Sequence, residues 1–206
     1  MKKVQLVLIH GGNTFKKRSD YLNFLKNRDI YLDKYESWSK SYLDKKLAPF
    51  FKIIRPKMPC SENAKYEEWK IYFENLLSVL NKDLVLIGNS LGAMFLAKYL
   101  SENKIDKNIK SLYLIAPPFD DSLPKEDLAG GFKLKHDLSL LEKQTDNLSL
   151  FFSEDDDIVP AKEADKYREK LDKAEFFLIK KMKGHFRAEK FSQLIKKIIK
   201  DLKLNK

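Results

Sequence analysis

Six short apolar runs punctuate the chain, at Val4–Ile9, Phe50–Ile54, Leu84–Ile87, Ser111–Ile115, Leu148–Phe152 and Phe176–Ile179. Most are continuous rather than alternating, the pattern of strands buried on both faces of a sheet. Longer segments with a three- and four-residue apolar rhythm lie between them. Tyr66, Trp69, Phe73, Leu76, Leu77 and Leu80 form one such stripe; Phe191, Leu194, Ile195, Ile198, Ile199 and Leu202 form another. Both predict amphipathic helices laid on a sheet. Strand and helix in alternation imply an α/β fold, with about six mostly parallel strands and helices on both faces.

Two stretches escape this rhythm. Residues 13–49 are rich in Lys, Tyr and Asp and predict one helix plus an irregular connection. Residues 117–146 carry Pro117-Pro118, Pro124 and Gly130-Gly131 and predict a long loop, a wall or lid over a site. There is no internal repeat or low-complexity linker, and 206 residues fit one domain over 1–206.

A composition of 43% hydrophobic and 12% aromatic residues excludes a disordered chain. The formal charge of +10 admits nucleic acid, an anionic membrane or an acidic ligand as partner. The basic residues are spread out, however, and no specific nucleic-acid partner is expected. The densest groups are Lys180 to Lys183 and Lys196, Lys197 and Lys200. The latter fall on a helix with an apolar stripe, where Lys is expected to form the solvated face.

A single cysteine, Cys60, excludes an intrachain disulfide and a Cys-based zinc cluster, and its Pro59-Cys60-Ser61 setting reads as a loop. The opening Met1-Lys2-Lys3 and short apolar run end in His10-Gly11-Gly12 rather than a cleavage site. No segment has the roughly 20 apolar residues of a membrane span. A cytoplasmic protein is expected.

Five of the seven glycines sit at three strand ends: Gly11 and Gly12, Gly88 and Gly92, and Gly184. Strand ends are where open parallel sheets bind ligands. Gly88-Asn89-Ser90-Leu91-Gly92 follows the Leu84–Ile87 run and precedes the helical segment Ala93–Leu100. This is the nucleophile-elbow pattern in the context it requires. Small residues at Gly88 and Gly92 let a strand turn sharply into a helix, with the serine hydroxyl projecting into the cleft. The backbone N–H of Leu91 would face a developing oxyanion. After the first strand, His10-Gly11-Gly12-Asn13 would supply a second donor, the N–H of Gly12 or Asn13. His10 itself is expected to hold this loop.

A base for Ser90 should lie late in the chain. Of three histidines, His185 in Lys183-Gly184-His185-Phe186 follows the last apolar run and precedes the last helix. His136 lies inside the long loop and is expected at the surface. The acid should come between serine and histidine. Glu154, Asp155, Asp156 and Asp157 follow the Leu148–Phe152 run, and the D-x-x-V-P frame ending in Val159-Pro160 favours Asp156. Asp155 and Asp157 remain alternatives, with Asp120 and Asp121 behind them. The acids not chosen are expected to face solvent or to cap the helix starting near Pro160. The order Ser90, Asp156, His185 is one of the familiar triad orders.

Met58-Pro59 with Tyr66-Glu67-Glu68-Trp69, the Gly88–Gly92 elbow, Ala116-Pro117, Ser153 to Asp156 with Val159-Pro160, and Gly184-His185-Phe186 together resemble the small α/β-hydrolases typified by the retinoblastoma-binding serine hydrolase and bacterial YdeN-type proteins. The resemblance spans nearly the whole chain, with residues 13–49 matching poorly. It implies a minimal α/β-hydrolase core without a large cap, with Ser90, Asp156 and His185 at the triad positions. Asp157 departs from the proline that members often carry after the acid.

The expected activity is hydrolysis of carboxylic esters, thioesters or amides through an acyl-enzyme, without cofactor or metal. The competing reading is a protein-binding module that kept the fold without turnover.

Overall fold

A computed structural model describes residues 3–30, 32, 36–123, 127–135 and 137–204, so the reading of His136 lies outside the described residues. Six strands form one parallel sheet: β1 (Val4–Ile9), β2 (Phe51–Ile54), β3 (Asp83–Asn89), β4 (Asn108–Ile115), β5 (Leu148–Ser153) and β6 (Glu175–Ile179). Their order across the sheet is β2-β1-β3-β4-β5-β6. The central strands β3, β4 and β5 carry the most continuous apolar runs because both of their faces are covered.

Among the described residues, six α-helices lie between strands and a seventh follows the last: α1 (Arg18–Asn27), α2 (Leu43–Leu47), α3 (Tyr66–Val79), α4 (Leu91–Glu102), α5 (Ser139–Lys143), α6 (Glu163–Arg168) and α7 (Ser192–Asp201). The chain steps from β1 outward to β2, then crosses back over β1 to β3 and onward to β6. Right-handed crossovers therefore put α3 to α6 on one face and α2 on the other, where α7 joins it. Neighbouring residues on β5 show the two layers. Phe151 meets Phe191 at the start of α7, ring centroids 5.3 Å apart, and Phe152 meets Tyr167 of α6 at 6.4 Å. Trp69, Phe73, Phe95 and Phe132 fill the α3–α4 side.

α4 follows the elbow and is apolar nearly all round, with every side chain from Leu91 to Leu100 buried. Its buried cation, Lys98, donates to Glu102 at 3.0 Å and to the Lys133 carbonyl at 2.8 Å.

The expectation that Lys197 joins the solvated face of the last helix is corrected. It is 7% exposed and held by Asp201, 2.6 Å away, and by Glu175. Tyr113 donates to the same Asp201 at 2.8 Å. The compensating acids lie at the edge of β6 and one turn further along α7. Residues 13–49 hold more structure than the single helix expected: α1 is followed by a turn of π-helix over Trp38–Tyr42 that runs into α2.

Candidate functional site

β1 and β3 are neighbours at the point where the strand order reverses, so the loops after them open onto one crevice. Ser90 follows β3 with φ 54° and ψ −123°, a conformation that a residue with a Cβ adopts only when its surroundings enforce it. Its N–H donates to the Ile115 carbonyl at 2.8 Å, and its carbonyl accepts from Ala93 and Met94, the first bonds of α4. The turn thus belongs to sheet and helix at once. Gly92 makes this possible: a Cβ there would stand 2.4 Å from the His10 carbonyl oxygen and 2.5 Å from that of Ile9. Gly88 flanks the turn on the strand side.

Ser90 Oγ lies 2.9 Å from His185 Nε2, and His185 Nδ1 lies 2.9 and 3.0 Å from the two carboxylate oxygens of Asp156. The carboxylate accepts, so Nδ1 carries the ring proton and Nε2 accepts from the serine hydroxyl. The Asp156 side chain is 0% exposed and that of His185 is 15% exposed, which seals the acid and leaves the base open to the crevice. Oδ1 of Asp156 also accepts the backbone N–H groups of Ile158 and Val159 at 2.9 and 2.8 Å. The Val159 half of the sequence frame therefore fixes the carboxylate itself.

Of the other acids of this cluster, Glu154 and Asp157 are exposed, as expected, whereas Asp155 turns inward onto the histidine loop, which corrects the expectation for that residue. Asp155 accepts from the Ser153 hydroxyl at 2.5 Å and from the backbone N–H groups of Met182 and Gly184 at 2.8 and 3.1 Å. These bonds, the Ser153 hydroxyl foremost, lower its pKa to about 2. Asp157 accepts the His185 backbone N–H at 3.1 Å and pairs with Arg187 at 2.9 Å. Asp120 pairs with Lys166 and Asp121 with Lys133, apart from the histidine.

The histidine loop needs such anchors, because Lys183, Gly184 and Phe186 all have positive φ. A further anchor comes from a segment that the sequence left opaque: buried Trp38 donates its indole N–H to the Phe186 carbonyl at 2.9 Å. Its partner lies 148 residues away, so the chain carries no signal of the contact beyond a large apolar residue in a polar stretch.

His10 holds its own loop, with Nδ1 donating to the Gly11 carbonyl at 2.6 Å and Nε2 accepting the Met58 N–H at 3.0 Å. The candidate oxyanion donors divide. The Asn13 N–H donates to the Ser61 carbonyl at 2.8 Å, so it is not available to an oxyanion, which corrects that alternative. Among the described residues, the Gly12 and Leu91 N–H groups have no such protein acceptor, and both residues line the crevice. Ser61, which steadies Asn13, sits in a stretch read from sequence only as a loop.

The crevice has a volume of about 400 Å³. Its lining is polar at Gly12, Asn13, Ser61 and Glu62 and apolar at Leu123, Leu128, Ile158 and Val159. Leu123 and Leu128 belong to the long loop, whose described parts form a wall. Tyr167 donates to the Pro118 carbonyl at 2.9 Å, and Glu163 accepts the Phe119 N–H at 3.0 Å. Thr14 donates to the Asp127 carbonyl and accepts the Ala129 N–H at 2.8 Å. Among the described residues, no cluster of His, Cys, Asp or Glu has the arrangement of a metal site.

The six-stranded parallel sheet with helices on both faces is the minimal α/β-hydrolase fold. Residues 34–202 match the serine hydrolase family, and the chain belongs to it. Solved structures of similar fold include the ydeN gene product of B. subtilis, with a TM-score of 0.75 and 17% identity over 98% of this chain and 100% of that one. A putative YdeN-like hydrolase from Pectobacterium atrosepticum has a TM-score of 0.68 and 17% identity over 98% and 91%. A meta-cleavage product hydrolase from Pseudomonas fluorescens has a TM-score of 0.67 and 11% identity over 98% and 91%. No curated protein sequence matches the chain.

Proposed function

We propose that this hydrolase cleaves carboxylic esters or thioesters, and amides more slowly, with Ser90 as nucleophile, His185 as base and Asp156 as the acid that orients the base. The observation that carries the reading is the continuous hydrogen-bonded line from Ser90 Oγ through His185 to the buried Asp156, opening into the crevice. His185 Nε2 takes the Ser90 proton as Oγ bonds to the substrate's carbonyl carbon. The imidazolium, held by Asp156, gives that proton to the departing alcohol or thiol, leaving an acyl-Ser90 ester. Water then attacks the ester by the same route. The oxyanion of each step would accept from the Leu91 and Gly12 N–H groups, helped by the N-terminus of α4.

Turnover of a panel of p-nitrophenyl esters and acyl-thioesters, wild type against Ser90→Ala, tests the reading. The expected result is measurable wild-type hydrolysis and a loss of at least about 10³-fold in kcat for the variant. Equal turnover by both proteins would contradict it.

A further inference from the structure

The helix beside the crevice is the least buried helix of its length. α1 contributes no buried side chain. Its inward contacts are those of Tyr21 and Phe24 with Phe15, ring centroids 5.5 and 5.3 Å apart. Leu22 and Leu25, one turn apart on a shared face, are left 48% and 37% exposed, and Ile30 just beyond the helix is 81% exposed. Arg18 and Lys26, each four residues from Leu22, frame that face. Residues 16–30 hold five basic side chains (Lys16, Lys17, Arg18, Lys26 and Arg28) against Asp20 and Asp29. Lys16 also pairs with Asp127, and Arg28 with Glu62.

An exposed apolar strip framed by cations suits the boundary where acyl chains meet anionic headgroups. A second copy of the chain suits it less, because pairing this face with itself would oppose the two sets of cations. The strip also adjoins the reactive crevice: Arg28 of this segment pairs with Glu62, and Glu62 lines the crevice.

We propose that α1 docks on an anionic bilayer and presents the Ser90 crevice to acyl-lipid esters lying in its surface. Docking stands on α1 alone; the choice of substrate rests on the proposed hydrolysis. The apolar lining at Leu123, Leu128, Ile158 and Val159 would receive the acyl chain, and the polar lining the headgroup end.

The test is co-sedimentation with vesicles of phosphatidylcholine alone or mixed equally with phosphatidylglycerol. Wild type is compared with the double variants Leu22→Asp/Leu25→Asp and Arg18→Glu/Lys26→Glu, and turnover of soluble p-nitrophenyl acetate is followed in parallel. Wild type is expected to sediment with the anionic vesicles only, and to be released at about 1 M salt, where screening acts within about 3 Å. The charge variant should bind at least about 25-fold more weakly, at roughly fivefold for each cation removed. The leucine variant should lose binding, and both should turn over the soluble ester like wild type. Wild type that ignores anionic vesicles, or a leucine variant that binds like wild type, would overturn docking. So would a concentration-dependent dimer abolished by the leucine changes. Vesicle binding without cleavage of any soluble or lipid ester would leave docking intact and refute the hydrolase reading and the substrate assignment with it.

Discussion

Asp155 and Asp156 are adjacent in the chain yet grip different parts of the same loop. Asp156 holds the His185 ring, and Asp155 holds the backbone N–H groups of Met182 and Gly184 that lead into it. Their substitutions should therefore fail differently. In Asp156→Asn the amide oxygen can keep the Ile158 and Val159 N–H groups, which fixes the turn. The amide NH₂ then faces His185 Nδ1 and forces the proton onto Nε2, where it blocks acceptance from Ser90. The expected result is a loss of about 10³- to 10⁴-fold in kcat with little change in thermal midpoint. A variant that keeps most of its kcat would move the role to another acid.

Asp155 should contribute to acid stability. Its pKa of about 2 in the folded chain lies below the ordinary value of about 3.9. A group whose pKa is lowered by folding stabilises the protein above its unfolded value. That contribution is lost as pH falls from about 4 toward 2. Thermal midpoints measured against pH should therefore fall across this window in wild type. Asp155→Asn should start lower at neutral pH and lose less on acidification. Parallel curves for the two proteins would show that the bonds to Ser153, Met182 and Gly184 do not hold the loop.

Gly12 stands against the segment that steadies its own loop. A Cβ at this position would lie 2.5 Å from the Ser61 carbonyl oxygen, which accepts the Asn13 N–H. In Gly12→Ala the Ser61 turn must shift and carry the Asn13 backbone with it. We expect kcat to fall about 10²- to 10³-fold, the range for a lost oxyanion donor, while KM for a small ester changes little. Wild-type kcat in this variant would place the second donor elsewhere.

Leu128 belongs to the apolar lining. It is buried in a wall tied down at Thr14 and Asp127, so the wall cannot readily close over a cut-back side chain. Leu128→Ala should favour longer acyl chains, raising kcat/KM for octanoate relative to acetate by about tenfold, the scale of one or two buried methylene groups. An unchanged ratio across the p-nitrophenyl ester series would show that the acyl group lies elsewhere.

Much of this architecture is legible in the chain, for identifiable reasons. β3 and α4 are nearly uniform apolar runs because both are enclosed; Gly92 is dictated by how closely α4 approaches the end of β1, and Gly88 by how closely β3 approaches the start of α4. The histidine and the acid cluster follow from their places after β6 and β5. What stays hidden depends on partners distant in sequence. α1 fully buries no side chain, and only Tyr21 and Phe24 turn inward, so its apolar rhythm is faint. The roles of Trp38, Asp155 and Ser61 exist only once Phe186, Gly184 and Asn13 are brought to them. Lys197 reads as a surface lysine until Glu175 and Asp201 close around it.

The central claim is that Ser90 is an activated nucleophile, and covalent labelling by a fluorophosphonate probe tests it most directly. The labelled residue is located by mass spectrometry, in wild type and in Ser90→Ala. The account predicts a single adduct on Ser90, absent from the folded variant and strongly slowed in a folded His185→Ala protein. Folded wild type that takes no label, or label that persists in Ser90→Ala, would contradict it.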